Sequence, residues 1–197
     1  MTTKLGYLIV KKEFHRYPKE SHIIGYRGID RQPLTVGELT PLPEGYDEEK
    51  NAEILKLRNE IATQMEEDEN EDGFITDFAN ALKYYRALKA FFPDIELLFC
   101  LGVNELRHKE FGENDIPLKG FEFIGYEVAY KQEDFFSAIR NGLLGNMYEK
   151  MRKYVELLNH HKLFDKLELA KSFMDEYLMD QNAEAGDFIL YKLYLYK

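Results

Sequence analysis

Residues Gly120 to Asn146 read GFEFIGYEVAYKQEDFFSAIRNGLLGN, and the change of period inside this stretch constrains the fold more than any other feature of the chain. Phe121 to Tyr130 is a β-type run, which breaks at Lys131 to Asp134. Phe135, Ile139 and Leu143 then recur at i, i+4 and i+8, and Phe136 widens the same stripe. A strand that hands over to a helix lying back on the sheet demands layered α and β structure. The expectation is a sheet organised around this stretch.

The remaining segments supply partners for it. Gly6 to Val10, running into Lys11 and Lys12, reads as a first strand, and His22 to Tyr26 as a short second one. Asp30 to Tyr46 holds Pro33, Gly37, Pro41, Pro43 and Gly45 and reads as an irregular connection. Asp47 to Glu67 reads as a helix with Asp47 as N-cap, Glu48 and Glu49 in the first turn, and Ile54, Leu57, Ile61 and Met65 on one face. A second helical run, Phe74, Phe78, Leu82, Tyr85 and Leu88, continues until Pro93.

Glu96 to Val103 is nearly apolar on both faces, as an internal strand would be, and Asn104 to Lys119 reads as mostly loop. Met147 to Leu158 and Leu163 to Met179 are helical in period and meet at His160 and His161. Phe188 to Tyr196, FILYKLYLY, reads as a strand covered on both sides. These elements predict a single mixed α+β domain over 1–197, with a sheet of about four to five strands covered by about five helices.

Charge narrows the partners. With 36 acidic and 26 basic residues the net charge is −10, so nucleic acid and anionic membrane surfaces are not expected to bind, whereas basic proteins and cations are favoured. Cys100 stands alone in the apolar run LLFCLGV and reads as a buried, inert thiol. The amino-terminal apolar run is too short for a secretory signal and no window approaches a spanning helix, so a cytoplasmic protein is expected.

The acids concentrate at Glu66, Glu67, Asp68, Glu69, Glu71 and Asp72, six of seven successive positions, which makes this run the expected surface for a basic protein partner. The same region resembles a calcium-binding EF-hand loop. Asp68, Asn70 and Asp72 supply oxygens at the first, third and fifth places, Gly73 the sixth, the Phe74 carbonyl the seventh, and Ile75 the apolar eighth. The twelfth place is Ala79, where that family has a bidentate Glu, and Asp77 lies out of register to replace it. The alternative expectation is therefore a weak calcium site serving a metal-dependent enzyme or regulatory module; no other cofactor is expected.

Catalytic patterns are sparse. Glu105 and His108 form one Glu-x-x-His where a di-iron bundle needs two, and His160 with His161 lack zinc-ligand spacing, so the histidines read as surface residues. Ser137 lies outside any Gly-x-Ser-x-Gly elbow and reads as a small residue packing helix to sheet. Gly125-Tyr126-Glu127-Val128, followed by Ser137-Ala138-Ile139 and Asn141, resembles a segment of the small acidic immunity-type proteins of bacterial toxin systems. That resemblance implies a non-enzymatic protein that binds and blocks a cognate toxin, and it assigns no individual residue a role.

Overall fold

The computed structural model describes residues 2–16, 27–33, 48–67, 74–90, 92–103, 119–130, 137–139, 148–181, 183 and 188–197. Among these residues five strands form one antiparallel sheet: β1 (Thr2–Arg16), β2 (Arg27–Pro33), β3 (Ile95–Val103), β4 (Phe121–Tyr130) and β5 (Phe188–Tyr196). Their order is β2-β1-β3-β5-β4. Among the described residues the helices of four residues or more are α1 (Glu48–Glu67), α2 (Phe78–Lys89), α3 (Tyr148–Met151) and α4 (Leu167–Leu178), with a 3-10 turn over Arg152–Leu157. The architecture is mixed α+β.

One face of the sheet carries helices in two groups. Tyr7, Ile9, Leu97, Phe99, Leu101 and Tyr194 lie in one core cluster with Ile54, Leu57 and Ile61 of α1 and Ala81, Tyr84 and Leu88 of α2. Val103, Val128, Phe188 and Leu190 lie in another with Met151, Tyr154, Ala170, Phe173 and Tyr177. The opposite face holds Leu8, Val10, Leu98, Cys100, Tyr191 and Leu193, all buried, together with Phe74 and Leu163. Each large apolar side chain so buried contributes about 1.5–3 kcal/mol of transfer free energy, which is what holds strands of this composition between two covered faces.

β1 and β4 are each bent at a glycine. The ladder shifts register between Lys4 and Gly6 in β1, and between Phe123 and Gly125 in β4. Gly6 (φ 142°) and Gly125 (φ 139°) adopt a backbone that side-chain-bearing residues avoid. A Cβ on Gly6 would lie 2.6 Å from the Ile75 carbonyl oxygen, and one on Gly125 would lie 2.6 Å from Leu163 Cβ. Each bulge thus admits an extra segment: Tyr7 exchanges two backbone hydrogen bonds with Ile75, and Tyr126 two with Phe164.

Several sequence expectations change. β3 is the central strand and β4 the last in the order, so the sheet is not organised around Gly120–Asn146. β5 is internal, between β3 and β4, as its two apolar faces require. Residues 30–33, the start of the irregular connection expected over Asp30 to Tyr46, belong to strand β2, because the distal half of β1 offers residues 27–33 a ladder from Val10↔Pro33 to Arg16↔Arg27. The short strand expected at His22–Tyr26 lies outside the described residues, as does most of the loop expected at Asn104–Lys119.

Phe74 is not helical. It is buried against the sheet, and α2 begins only at Phe78, after Asp77 has capped it by accepting from the Asn80 amide at 2.8 Å. The helix expected over Met147–Leu158 tightens into the 3-10 turn after Met151, and α4 starts at Leu167 rather than Leu163 because Phe164 is extended against β4. Of the helix expected after β4, only residues 137–139 are described; Ala138 and Ile139 are helical and buried there.

Candidate functional site

The acidic run begins on α1. Glu66 and Glu67 form its last turn, which contains no basic residue. The carbonyl end of a helix carries partial negative charge, so carboxylates there cost roughly 0.3–1 kcal/mol where Lys or Arg would gain it. Asp68, Glu69, Asn70, Glu71 and Asp72 lie outside the described residues. The chain is fixed again at once beyond them, since Phe74 is 3% exposed and Ile75 is bonded to Tyr7 at 2.8 and 2.9 Å.

Phe74, expected to offer a carbonyl to calcium, has its side chain in the core with its ring 6.1 Å from that of Tyr191. Asp77 is committed to the α2 cap and stands close enough to Tyr7 to add to the effect of burial in pushing that phenol up to about 12. Among the described residues no three His, Cys, Asp or Glu side chains converge as metal ligands do.

A second constellation lies on the helix-bearing face of the sheet. Lys192 sits on internal strand β5, opposite Leu101 of β3 and Tyr126 of β4. The next row along the sheet is Phe99, Tyr194 and Phe123. The Lys192 ammonium lies 5.3 Å from the Tyr194 ring centroid and 5.5 Å from that of Phe123, within cation–π range. Phe123 in turn meets Tyr194 edge-on at 5.7 Å and Tyr126 at 5.2 Å. Tyr194 belongs to the cluster under α1 and α2, and Tyr126 packs against the cluster under α4, so Lys192 and Phe123 mark the seam between the two helical groups. Phe123 is 37% exposed and Lys192 half-buried.

Other polar groups serve packing. Glu127 of β4 is 2% exposed; its Oε1 accepts from Ser137 Oγ at 2.9 Å and from the Val128 amide at 3.1 Å. Ser137 thus packs the start of the 137–139 segment onto the sheet, through a hydrogen bond to a buried carboxylate. The His160 and His161 rings lie 3.9 Å apart beside Glu122, whose carboxyl is held low by its hydrogen bond to, and the charge of, Lys197. Tyr154 donates to Glu176 at 2.8 Å, and burial together with that bond pushes the phenol up to about 12. Lys153 above all, and Tyr154 after it, hold the Glu176 carboxyl below its ordinary range.

No protein-family model, no curated protein sequence and no solved structure matches the chain. Among the described residues no helix is long and apolar enough to cross a membrane. Sequence reasoning missed two residues that the fold makes conspicuous. Lys192 breaks FILYKLYLY, a strand otherwise apolar on both faces, and that exception was the available signal. The burial of Glu127 had none, because alternation in FEFIGYEVAY is thrown out of phase by the bulge at Gly125.

Proposed function

We propose that this chain is a non-enzymatic, cytoplasmic binding protein that holds a basic protein partner on acidic surface, in the manner of the toxin-neutralising immunity-type proteins whose segment it resembles. The observation that carries the reading is the placement of Glu66 and Glu67. A stretch under selection for helix stability alone would end α1 in Lys or Arg, whereas here the acids persist through the last turn and continue to Asp72. Concentrated charge speeds encounter with a cationic surface.

The test is co-purification from source cells at low salt. A stoichiometric basic protein should be captured by the wild type, and lost when Glu66, Glu67, Asp68, Glu69, Glu71 and Asp72 are replaced by Gln or Asn. Capture that survives those replacements, or the absence of any stoichiometric basic partner, overturns the reading. The alternative, a calcium-dependent role for Asp68, Asn70, Asp72 and the Phe74 carbonyl, draws support from the fixed positions of α1 and Ile75 on either side of the loop. It requires calcium to raise the melting temperature.

A further inference from the structure

We propose that the chain is one structural unit present twice, and that it dimerises with a second copy of itself by exchanging the two units across the β3–β5 ladder; this goes beyond the partner-binding reading and does not rest on it. In the first unit Gly6 bends β1, Tyr7 bonds to Ile75, the twelve-residue α2 starts three residues later and the nine-residue β3 follows. In the second Gly125 bends β4, Tyr126 bonds to Phe164, the twelve-residue α4 starts three residues later and the nine-residue β5 follows. The buried positions of the two helices coincide: Ala81, Tyr84 and Leu88 of α2 stand where Ala170, Phe173 and Tyr177 do in α4. β1 meets its outer partner at Val10↔Pro33, and β4 meets Ser137 at the equivalent Ala129. Lys162 has φ 60°, and the residue at its place in the sequence of the first unit is Gly73, the type that takes such a backbone most readily.

The units meet as equals. β3 and β5 match from Ile95 with Phe188 to Val103 with Tyr196; interchanging them turns the pair Phe99↔Tyr194 into Leu101↔Lys192 and leaves Cys100↔Leu193 as it is. A local two-fold axis therefore passes through Cys100 and Leu193, and the ladder has the self-complementary form of an isologous dimer interface. The helical cores cross it reciprocally, since Tyr196 packs on the core under α1 and α2 while its equivalent Val103 lies in the core under α4. The same contacts form when the first unit of one copy meets the second unit of another, and only the tether, residues 104–120, distinguishes the two arrangements. Tethered partners see one another at an effective concentration on the order of 1 mM, so exchange competes when chains refold at that concentration and is negligible at about a thousandth of it.

The full chain, half of it labelled with heavy nitrogen, is unfolded in urea, refolded at about 1 mM and at about 1 μM, and both samples are compared after dilution by native mass spectrometry. Concentrated refolding should give a dimer containing both isotopes that survives dilution, because its ladder must break before the copies part; dilute refolding should give monomer. L193C identifies the interface. Facing residues of an antiparallel ladder have Cα atoms about 4.5–5.5 Å apart, within disulfide reach, so oxidised glutathione should join Cys100 to the introduced thiol within a chain after dilute refolding and between chains after concentrated refolding. Overturning results are monomer at both concentrations, a dimer that dissociates on dilution, an L193C dimer bonded within its chains, or a covalent dimer of the wild type, whose sole cysteine is Cys100 and which would then pair β3 with β3. The mass spectra of the wild type decide the matter even if L193C does not fold. Capture of a basic partner is read in a separate experiment, so either proposal can fail alone.

Discussion

Replacing Asn159 by Ala should unfasten the segment that closes the outer side of β4. Asn159 Nδ2 donates to the Ile124 carbonyl at 2.8 Å and to Asp165 Oδ1 at 2.7 Å, while its Oδ1 accepts from the amides of His161 at 2.8 Å and Leu163 at 3.2 Å. Each net hydrogen bond is worth about 0.5–1.5 kcal/mol, and the exposed contact with Asp165 least. The three bonds to part-buried backbone groups, which Ala would leave unmade, set the loss at about 2–4 kcal/mol. For a chain of this length that corresponds to a fall in melting temperature of roughly 6–12 °C. Urea unfolding of N159A and N159D measures it. Asp keeps the volume and an acceptor, but turns an oxygen toward the Ile124 carbonyl and Asp165, so N159D should be destabilised as well. A loss below about 0.5 kcal/mol in N159A, with N159D unfolding like the wild type, would refute the account of this segment as hydrogen-bonded through Asn159.

Three further outcomes are expected. Asp77→Ala should cost about 1 kcal/mol in urea unfolding through loss of the α2 cap; no change would show that Asp77 is not the cap. Tyr7 and Tyr154 both titrate near 12 against an ordinary 10.0, so the folded state holds their protons more tightly than the unfolded one; the stability this confers is complete below pH 10.0 and is lost as pH rises toward about 12. Urea midpoints should fall across that window, and less steeply in Y7F; an unchanged slope would place Tyr7 outside the effect. Melts in calcium and in chelator should superimpose if the acids serve a protein partner, whereas a clear upward shift in calcium would transfer the 68–74 region to the metal reading.

What could be read in the sequence was whatever depended on local pattern. β3 and β5 are apolar on both faces because both faces are covered, and that composition is visible without the fold. β2 was invisible for the converse reason: RGIDRQP has no strand pattern and is extended only because β1 runs on to Arg16 beside it. Phe74 was misread because Phe74, Phe78 and Leu82 recur every four residues, although Asp77 followed by Asn80 already marked where the helix begins. In the candidate sites, charge density was legible at Glu66 to Asp72, and so was the place of Glu66 and Glu67 at a helix end, because the helix expected over Asp47 to Glu67 stops where α1 does. Lys192 was legible as an oddity; its rings come from Phe123 and Tyr194, brought together only by a register that no local signal fixes.

The two Gly-Tyr steps bear on how a partner can bind. At Gly6-Tyr7 the β1 edge that β2 does not reach is taken by Ile75, and at Gly125-Tyr126 the β4 edge is taken by Phe164. At both points the backbone groups a visiting strand would use are already spent, and the bulge turns the strand out of register with a straight partner. Strand addition, the cheapest way for one sheet protein to recognise another, is therefore closed at Tyr7 and Tyr126. Recognition there must rest on side chains, and Ile75 lies only three residues after Asp72. The contact that seals the β1 edge thus belongs to the first described segment after the acidic run.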